Sequence, residues 1–484
     1  MNRKVGSRLL GGFTAASVLL VANCAINPVS GRREFTLISE AQEIAMGKQG
    51  AADVTAAIGL YPDERIQGYV SAIGQAISKR TERANLAWEY HVIDDASVNA
   101  FALPGGFVFV TRGLLTQMTS EAELASVLGH ESGHIAARHS VQQMSRQQLA
   151  TLGLGLGSAL SPFLAKYGEV AAAGVGLLML KNSREDETHA DKLGFWYAVA
   201  EGYDTREMIA LFEMLQRDAA LGGRGRLPEW QASHPDPEHR IRDIQRLIEA
   251  SSHDFGALKV DRDAFIQRLD GMTFGEDPRA GYFRGALFLH PDLAFTLRFP
   301  EGWRTQNGAD AVTAISPAED AIVQLRAAAG SASQAAHKFL TQEGVREGRR
   351  TTGTVHGNTA VSADFTATEG EQSLQGTATF VEQDGRTWAI IAYTELARFE
   401  TYSAAFRLSL GSFQRLTDPV ALAVQPLRID VVAAPRAMTL KEFNGLKPSA
   451  IGLEEVAMIN GMATGTVLRA GQPVKRVVGT PLPR

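Results

Sequence analysis

The chain is 484 residues long, too long for one compact domain, and at roughly 150 residues per domain it should hold about three. Hydrophobic residues make up 45% and charged residues 21%, close to soluble globular averages, which excludes wholesale disorder and a polytopic membrane protein. Its 48 basic and 53 acidic side chains leave a net charge of −5, so no field is available to grip phosphate backbones and nucleic acid is not an expected partner.

Arg3, Lys4 and Arg8 make a basic start, and residues 9–22 are apolar or small throughout. That stretch is short for a membrane span and has the layout of a secretory signal. It ends at Val21-Ala22-Asn23-Cys24, and Cys24 is the single cysteine, so an intrachain disulfide is excluded. The sequence resembles a bacterial lipobox, whose cysteine is lipidated and becomes the new N-terminus, although Asn23 stands where Gly, Ala or Ser is usual. The resemblance implies lipidation of Cys24 and a membrane anchor through an N-terminal lipid. Ala25 replaces the aspartate that retains many Gram-negative lipoproteins at the inner membrane, which points to the outer membrane, facing the periplasm. Residues 1–23 are expected as a lipoprotein signal peptide and 24–36 as a tether.

From residue 37 to about 250 the period is helical. Ile66, Val70, Ile73 and Ile77 recur at three- and four-residue steps after the Pro62-Asp63 start. Residues 88–93 alternate, 99–103 are extended, Pro104-Gly105-Gly106 turns, and 107–110 read as a short strand. Further helices are expected over 121–148, 183–201, 205–217 and 237–250. The Gly-, Ala- and Leu-rich segment 149–180 is cut by Pro162, Lys166 and Glu169 into runs below about 18 residues, which favours a packed or lid-like helical segment over a transmembrane hairpin. Near Gly271 the character changes. Strand-like text at 295–299, 322–326, 377–381 and 387–393, with a helix around 333–343, predicts an α+β domain without catalytic spacing.

The chemistry concentrates in His130-Glu131-Ser132-Gly133-His134, inside the helix marked by Glu121, Leu124, Val127 and Leu128. Two histidines four apart stand roughly 40° apart on one helix face, one turn up, so both imidazoles can reach one ion. Glu131, beside the first, can serve as base towards an activated water. A catalytic zinc keeps three protein ligands and one open position. Glu187 in the next helix is the candidate third ligand, and Asp191, one turn on, can accept the free N–H of a ligating imidazole. Taken alone, that Glu/Asp pair describes a solvated acidic face; taken with the pentad, it completes a zinc site.

The combination of His-Glu-x-x-His with Glu-x-x-Ala-Asp resembles the zinc metallopeptidase family that includes HtpX, BepA and the CAAX prenyl protease, over roughly residues 37–252. Asn99-Ala-Phe-Ala-Leu-Pro-Gly-Gly106 is similar to that family's substrate-side edge strand and turn. Arg138-His139-Ser140 follows the pentad as in many members. His189 stands where bacterial members usually have a second glutamate; two residues from Glu187 on a helix, it is expected to face elsewhere, which keeps Glu187 as the ligand with His189 as a minor alternative. The resemblance implies one zinc ion per chain, Glu131 as general base and polypeptide substrates. It also places His234-Pro-Asp-Pro-Glu-His-Arg240 beside the metal cleft. His234 and Arg240 are therefore candidate oxyanion donors. His234 is alternatively a blocker of zinc's fourth position, or a helix-start histidine with no catalytic part. His139 is expected on another helix face, in a structural role. His91, His239, His253, His290, His337 and His356 have no partner at ligand spacing.

The expected architecture is multidomain. Residues 37–255 form a mainly α, zincin-type (gluzincin) metallopeptidase domain with a small antiparallel sheet. A linker (256–280), an α+β domain of unassigned role (281–416) and a small α+β tail (417–484) follow. The tail's 453–462 and 468–475 segments resemble the second half of a LysM module, with Ala437-Met438-Thr439 in place of the Gly-Asp-Thr opening; that likeness raises peptidoglycan as a partner. The function so implied is a zinc metalloendopeptidase of the cell envelope, acting on misfolded or unassembled envelope proteins. The rivals are a non-cleaving assembly factor and a cell-wall-binding adaptor.

Overall fold

The computed structural model describes residues 24–154, 182–221, 234, 236–308, 311–369 and 372–482. The expected signal peptide and nearly all of the lid-like segment 149–180 lie outside the described residues.

A short antiparallel ribbon opens the fold, β1 (Cys24–Ile26) against β2 (Arg33–Phe35). It occupies the expected tether and is pinned to the body, where Asn27 Nδ2 donates to the Ala137 carbonyl at 3.0 Å. Helix α1 (Glu40–Ile58) starts on a Ser39/Gln42 capping box, and α2 (Glu64–Ser78) on the Asp63 side chain. Strands β3 (Glu89–Ile93), β4 (Ala100–Leu103) and β5 (Phe107–Thr111) form a sheet ordered β3-β5-β4. Its β3–β5 pair is parallel and β4–β5 antiparallel, so the sheet is mixed and β4 is left as an edge. Next come α3 (Arg112–Gln117), α4 (Glu121–Ala136), α5 (His139–Leu154), α6 (Arg184–Ala200), α7 (Glu207–Leu221) and α8 (Pro237–Ala250).

The one helix expected over 121–148 is two. Arg138 takes a positive φ of 60° and ends α4. The strain is borne because its guanidinium donates to Glu43 Oε2 at 2.8 Å and to the Ile38 carbonyl at 3.1 Å. Side-chain periodicity carries no mark of such a break.

Residues 256–280, expected as a linker, hold α9 (Arg262–Arg268) and β6 (Thr273–Phe274). Phe265, Ile266, Leu269, Met272 and Phe274 pack into the same core as Ile77, Leu128 and Phe195. The sheet-rich region follows. A seven-stranded antiparallel sheet runs β10-β11-β12-β16-β15-β14-β13. Its strands are β10 (Arg304–Asn307), β11 (Ala311–Ile315), β12 (Ala321–Ala328), β13 (Val345–Val355), β14 (Asn358–Glu369), β15 (Gln372–Gln383) and β16 (Arg386–Glu395). Helix α10 (Ala332–Leu340) covers one face, through Phe339 against Phe365 and Phe380. On the other face lie α11 (Phe399–Leu410) and a second sheet of β7 (Tyr282–Arg284), β8 (Leu287–His290), β9 (Phe295–Arg298) and β17 (Gln414–Arg415). Phe288, Phe295, Trp388 and Phe406 fill the space between.

After a short helix α12 (Pro419–Leu422), the chain returns to the first body. Strands β18 (Leu427–Ala433) and β21 (Pro473–Val478) pair antiparallel, with α13 (Leu440–Leu446) and α14 (Leu453–Ile459) between them. A two-residue pair, β19 (Met438–Thr439) with β20 (Val467–Leu468), closes the connection. Because β18 also pairs with β6, the sheet-rich region is inserted between two strands of one sheet. Ile429, Met458, Ile459 and Val477 join the core of the helical body.

Lys475 fastens this junction. It is fully buried, and its Nζ donates to the Thr116 and Met118 carbonyls at 2.8 and 2.6 Å, at the end of α3. Burial pulls its ammonium down to about 7, against the attraction of Glu123. Lys475→Ala leaves two buried carbonyls unpaired and is expected to lower stability by roughly 3 kcal/mol, read from the urea midpoint. Among the described residues no helix is long and apolar enough to cross a membrane.

Candidate metal centre

Helix α4 starts on Ser120, whose side chain accepts from Glu123 N, and all 16 of its residues are buried. Helix α6 starts on a Ser183/Asp186 capping box. The two cross where glycine meets glycine. A Cβ on Gly194 would stand 2.5 Å from His130 N, and one on Gly129 2.9 Å from the Gly194 carbonyl oxygen. Only residues without side chains allow backbones this close. That approach carries Glu187, two turns before Gly194, to the imidazoles of α4.

His130 Nε2 and His134 Nε2 lie 3.1 Å apart. Glu187 Oε1 is 3.3 Å from His134 Nε2, and Glu187 Oε2 is 3.5 Å from His130 Nε2. His234 Nδ1 completes the group, 3.3 Å from His130 Nε2 and 2.8 Å from Glu187 Oε2. The four residues each offer one donor atom, all within 4.8 Å of one another, and all four are buried. Bonds of about 2.0–2.1 Å to a tetrahedral ion set its donors roughly 3.3–3.4 Å apart, and the closest donor pairs here, at 2.8–3.5 Å, bracket that spacing. Glu131 Oε1 and Glu187 Oε1, both buried, accept no hydrogen bond among the described residues. Nitrogen and carboxylate donors at these separations suit zinc.

A second layer holds the first. Asp191 Oδ1 is 2.8 Å from His130 Nδ1, which fixes Nε2 as the nitrogen facing the cluster. Arg240 donates to both Asp191 oxygens, at 2.7 and 2.6 Å, and its guanidinium lies 4.4 Å from the Phe212 ring centroid. Its Nη1 is 3.4 Å from Glu187 Oε2. Burial works against the Asp191 carboxylate, but Arg240 and His130 hold it down to about 2. Burial likewise opposes the Glu187 charge; His234 and His134 outweigh it and keep that carboxyl well below its ordinary value.

The structure thus brings together His130, Glu131, His134, Glu187, Asp191, His234 and Arg240, drawn from α4, α6 and the start of α8. His234 stands among the donors, and its Nε2 is 3.7 Å from Glu131 Oε1. Arg240 engages Asp191 through Nε and Nη2. Cys24 lies in β1, remote in sequence from this cluster. One expectation needs correction. His139 faces the ligand His134 directly, Nδ1 to Nδ1 at 2.9 Å, because the break at Arg138 swings it round. His189, expected to face away from the donors, is not among them; its Nδ1 lies 3.1 Å from His139 Nε2.

Two imidazoles from one helical turn with a carboxylate from a crossing helix are a donor set that could hold a single metal ion. Residues 64–248 match the sequence model described as Peptidase family M48. The mitochondrial metalloendopeptidase OMA1 of Schizosaccharomyces pombe is 34% identical over 234 residues, 46% of this chain and 65% of that one. The β-barrel assembly-enhancing protease of Escherichia coli is 28% identical over 249 residues, 48% of this chain and 50% of the other. The chain therefore spans between half and two thirds of these relatives' length. The solved cyanobacterial PsbP of Synechocystis covers 28% of this chain at 13% identity with a TM-score of 0.23, too distant to carry an argument.

Proposed function

We propose that this chain is a zinc-dependent metalloendopeptidase of the bacterial cell envelope that hydrolyses misfolded or unassembled envelope proteins. The observation that carries this reading is the convergence of His130, His134 and Glu187 on one point, with Glu131 Oε1, which accepts no hydrogen bond among the described residues, beside them. The name of the Escherichia coli relative supports clients of the β-barrel class.

Zinc, when bound by these residues, acidifies the attacking water and polarises the scissile carbonyl. Glu131 takes the water's proton and returns it to the leaving amine. Asp191 keeps His130 in the Nδ1–H tautomer, and Arg240 locks Asp191 in place. The edge of β4, without a strand partner on that side among the described residues, pairs with an extended peptide and sets its register.

His234 offers a fourth donor atom, and were it to hold the ion with the other three it would take the position that a reacting water needs. The resting site in this reading is latent, and His234 must withdraw for turnover. His234→Ala is expected to raise peptidase turnover, followed as casein degradation; unchanged turnover would remove both the blocking and the oxyanion role.

The same proposal includes a lipid on Cys24, an outer-membrane anchor facing the periplasm and the gluzincin assignment of residues 37–255. It also includes a separate α+β domain at 281–416 and a LysM-like character for 417–484. The strand–helix–helix–strand order of β18, α13, α14 and β21 supports the last. Zinc analysis of the purified protein beside Glu187→Gln, with degradation of an unfolded porin assayed on both, tests the central claim. Wild type is expected to carry one zinc and cut, and the variant to do neither; equal zinc in both would overturn it.

A further inference from the structure

We infer that His139 is a positioning residue of the metal centre, holding His134 in its ligating tautomer and backed in turn by His189. The inference rests on the zinc reading proposed above and extends it to side chains outside the donor set.

Four observations carry it. The left-handed turn at Arg138 delivers a buried His139 to the far side of the His134 ring. The rings meet edge to face, centroids 5.0 Å apart at 76°, with the two Nδ1 atoms at 2.9 Å. On the opposite side, His139 Nε2 is 3.1 Å from His189 Nδ1. Finally, His134 Nε2 points into the donor cluster.

These contacts leave one consistent order of protons. To ligate, His134 Nε2 must present a lone pair, so its proton resides on Nδ1. Two Nδ1 atoms in contact share a single proton, so His139 Nδ1 accepts it. The His139 proton then resides on Nε2 and is donated to His189 Nδ1. Three imidazoles are thereby aligned in one direction, from the metal side outward. The two histidine ligands are held differently: His130 leans on the Asp191 carboxylate, whereas His134 leans on a neutral ring. Glu131, Glu187 and Asp191 already bring three carboxylates to this buried site, and an imidazole acceptor orients His134 without placing another against its ring, the Asp186 carboxylate standing behind His139 with Oδ1 3.8 Å from its Nε2.

The test compares zinc affinity, by competition with a chromophoric chelator, and the visible spectrum of the cobalt-substituted protein. Wild type is set beside His139→Phe, which keeps a ring but no acceptor, and His139→Asn, whose Oδ1 takes the place of Nδ1. His139→Phe is expected to weaken zinc binding by about 10–100-fold and to shift the cobalt spectrum. His139→Asn should recover most of the affinity. Should the phenylalanine variant fail to fold, as judged by melting of the metal-free protein, His139→Ala against His139→Asn gives the same comparison. Zinc affinity of His139→Phe within twofold of wild type, or equal losses for Phe and Asn, overturns the inference. Glu187→Gln separates the two levels: if it binds zinc like wild type the metal reading falls and this one with it, whereas loss there with retention in His139→Phe sinks this inference alone.

Discussion

Glu131→Gln is expected to abolish measurable peptide cleavage while leaving the zinc content of the protein unchanged. Glutamine keeps the shape of the side chain but cannot take a proton, so turnover should fall by roughly 10²–10⁴-fold, the usual contribution of a general base. Zinc content is insulated because Glu131 is not among the four donor residues, His130, His134, Glu187 and His234. Measured together, zinc per chain and degradation of casein separate a peptidase from a client-binding adaptor. A Glu131→Gln protein that still degrades casein at the wild-type rate refutes the peptidase reading.

The second large effect concerns pH and metal together. In the metal-free protein, burial and the Arg240 charge both press against a proton on His130, but hydrogen bonds to Asp191 and Glu187 outweigh them and hold the imidazole up to about 9. Its ordinary value is 6.5. A group raised on folding stabilises the fold fully below its unfolded value and loses that contribution as pH rises through the folded value. Metal-free protein should therefore lose up to about 3 kcal/mol between pH 6.5 and 9. Zinc binding runs the opposite way, because ligation requires His130 Nε2 without its proton. Over the same interval zinc affinity should rise by up to about tenfold per pH unit and level off above it. Melting curves of chelator-stripped protein and zinc titrations across this range check both slopes. Flat behaviour in the two together contradicts the account.

Much of the helical body is legible from spacing. The repeat of Ile66, Val70, Ile73 and Ile77 is the buried face of α2, alternation locates β3, and the extended and apolar runs around the Pro104-Gly105-Gly106 turn locate β4 and β5, each within a residue or so. These are local signals, and burial on one side enforces them. The hairpin of β13 and β14 was not legible. Its first strand, Val345–Val355, is an exposed edge rich in Arg, Gly and Thr, with no apolar alternation to mark it. Nor was the role of residues 256–280. A two-residue strand such as β6 exists only because β18 pairs with it from more than 150 residues away, Leu427 opposite Phe274 and Arg428 opposite Thr273. The helix break at Arg138 depends on Glu43, which lies in another helix.

The metal site divides along the same line. Two histidines one turn apart and a glutamate beside them follow from helical geometry alone, so the residues themselves announced one ion, one base and the hydrolytic class. Which carboxylate reaches the pair was settled by the glycine crossing of α4 and α6. That His234 joins from 104 residues away, that His139 supports His134, and that Lys475 locks the tail onto α3 were settled only in three dimensions. Their common cause is that each is a contact between elements whose approach is set by packing and buried hydrogen bonds, and no periodicity within a single segment encodes such an approach.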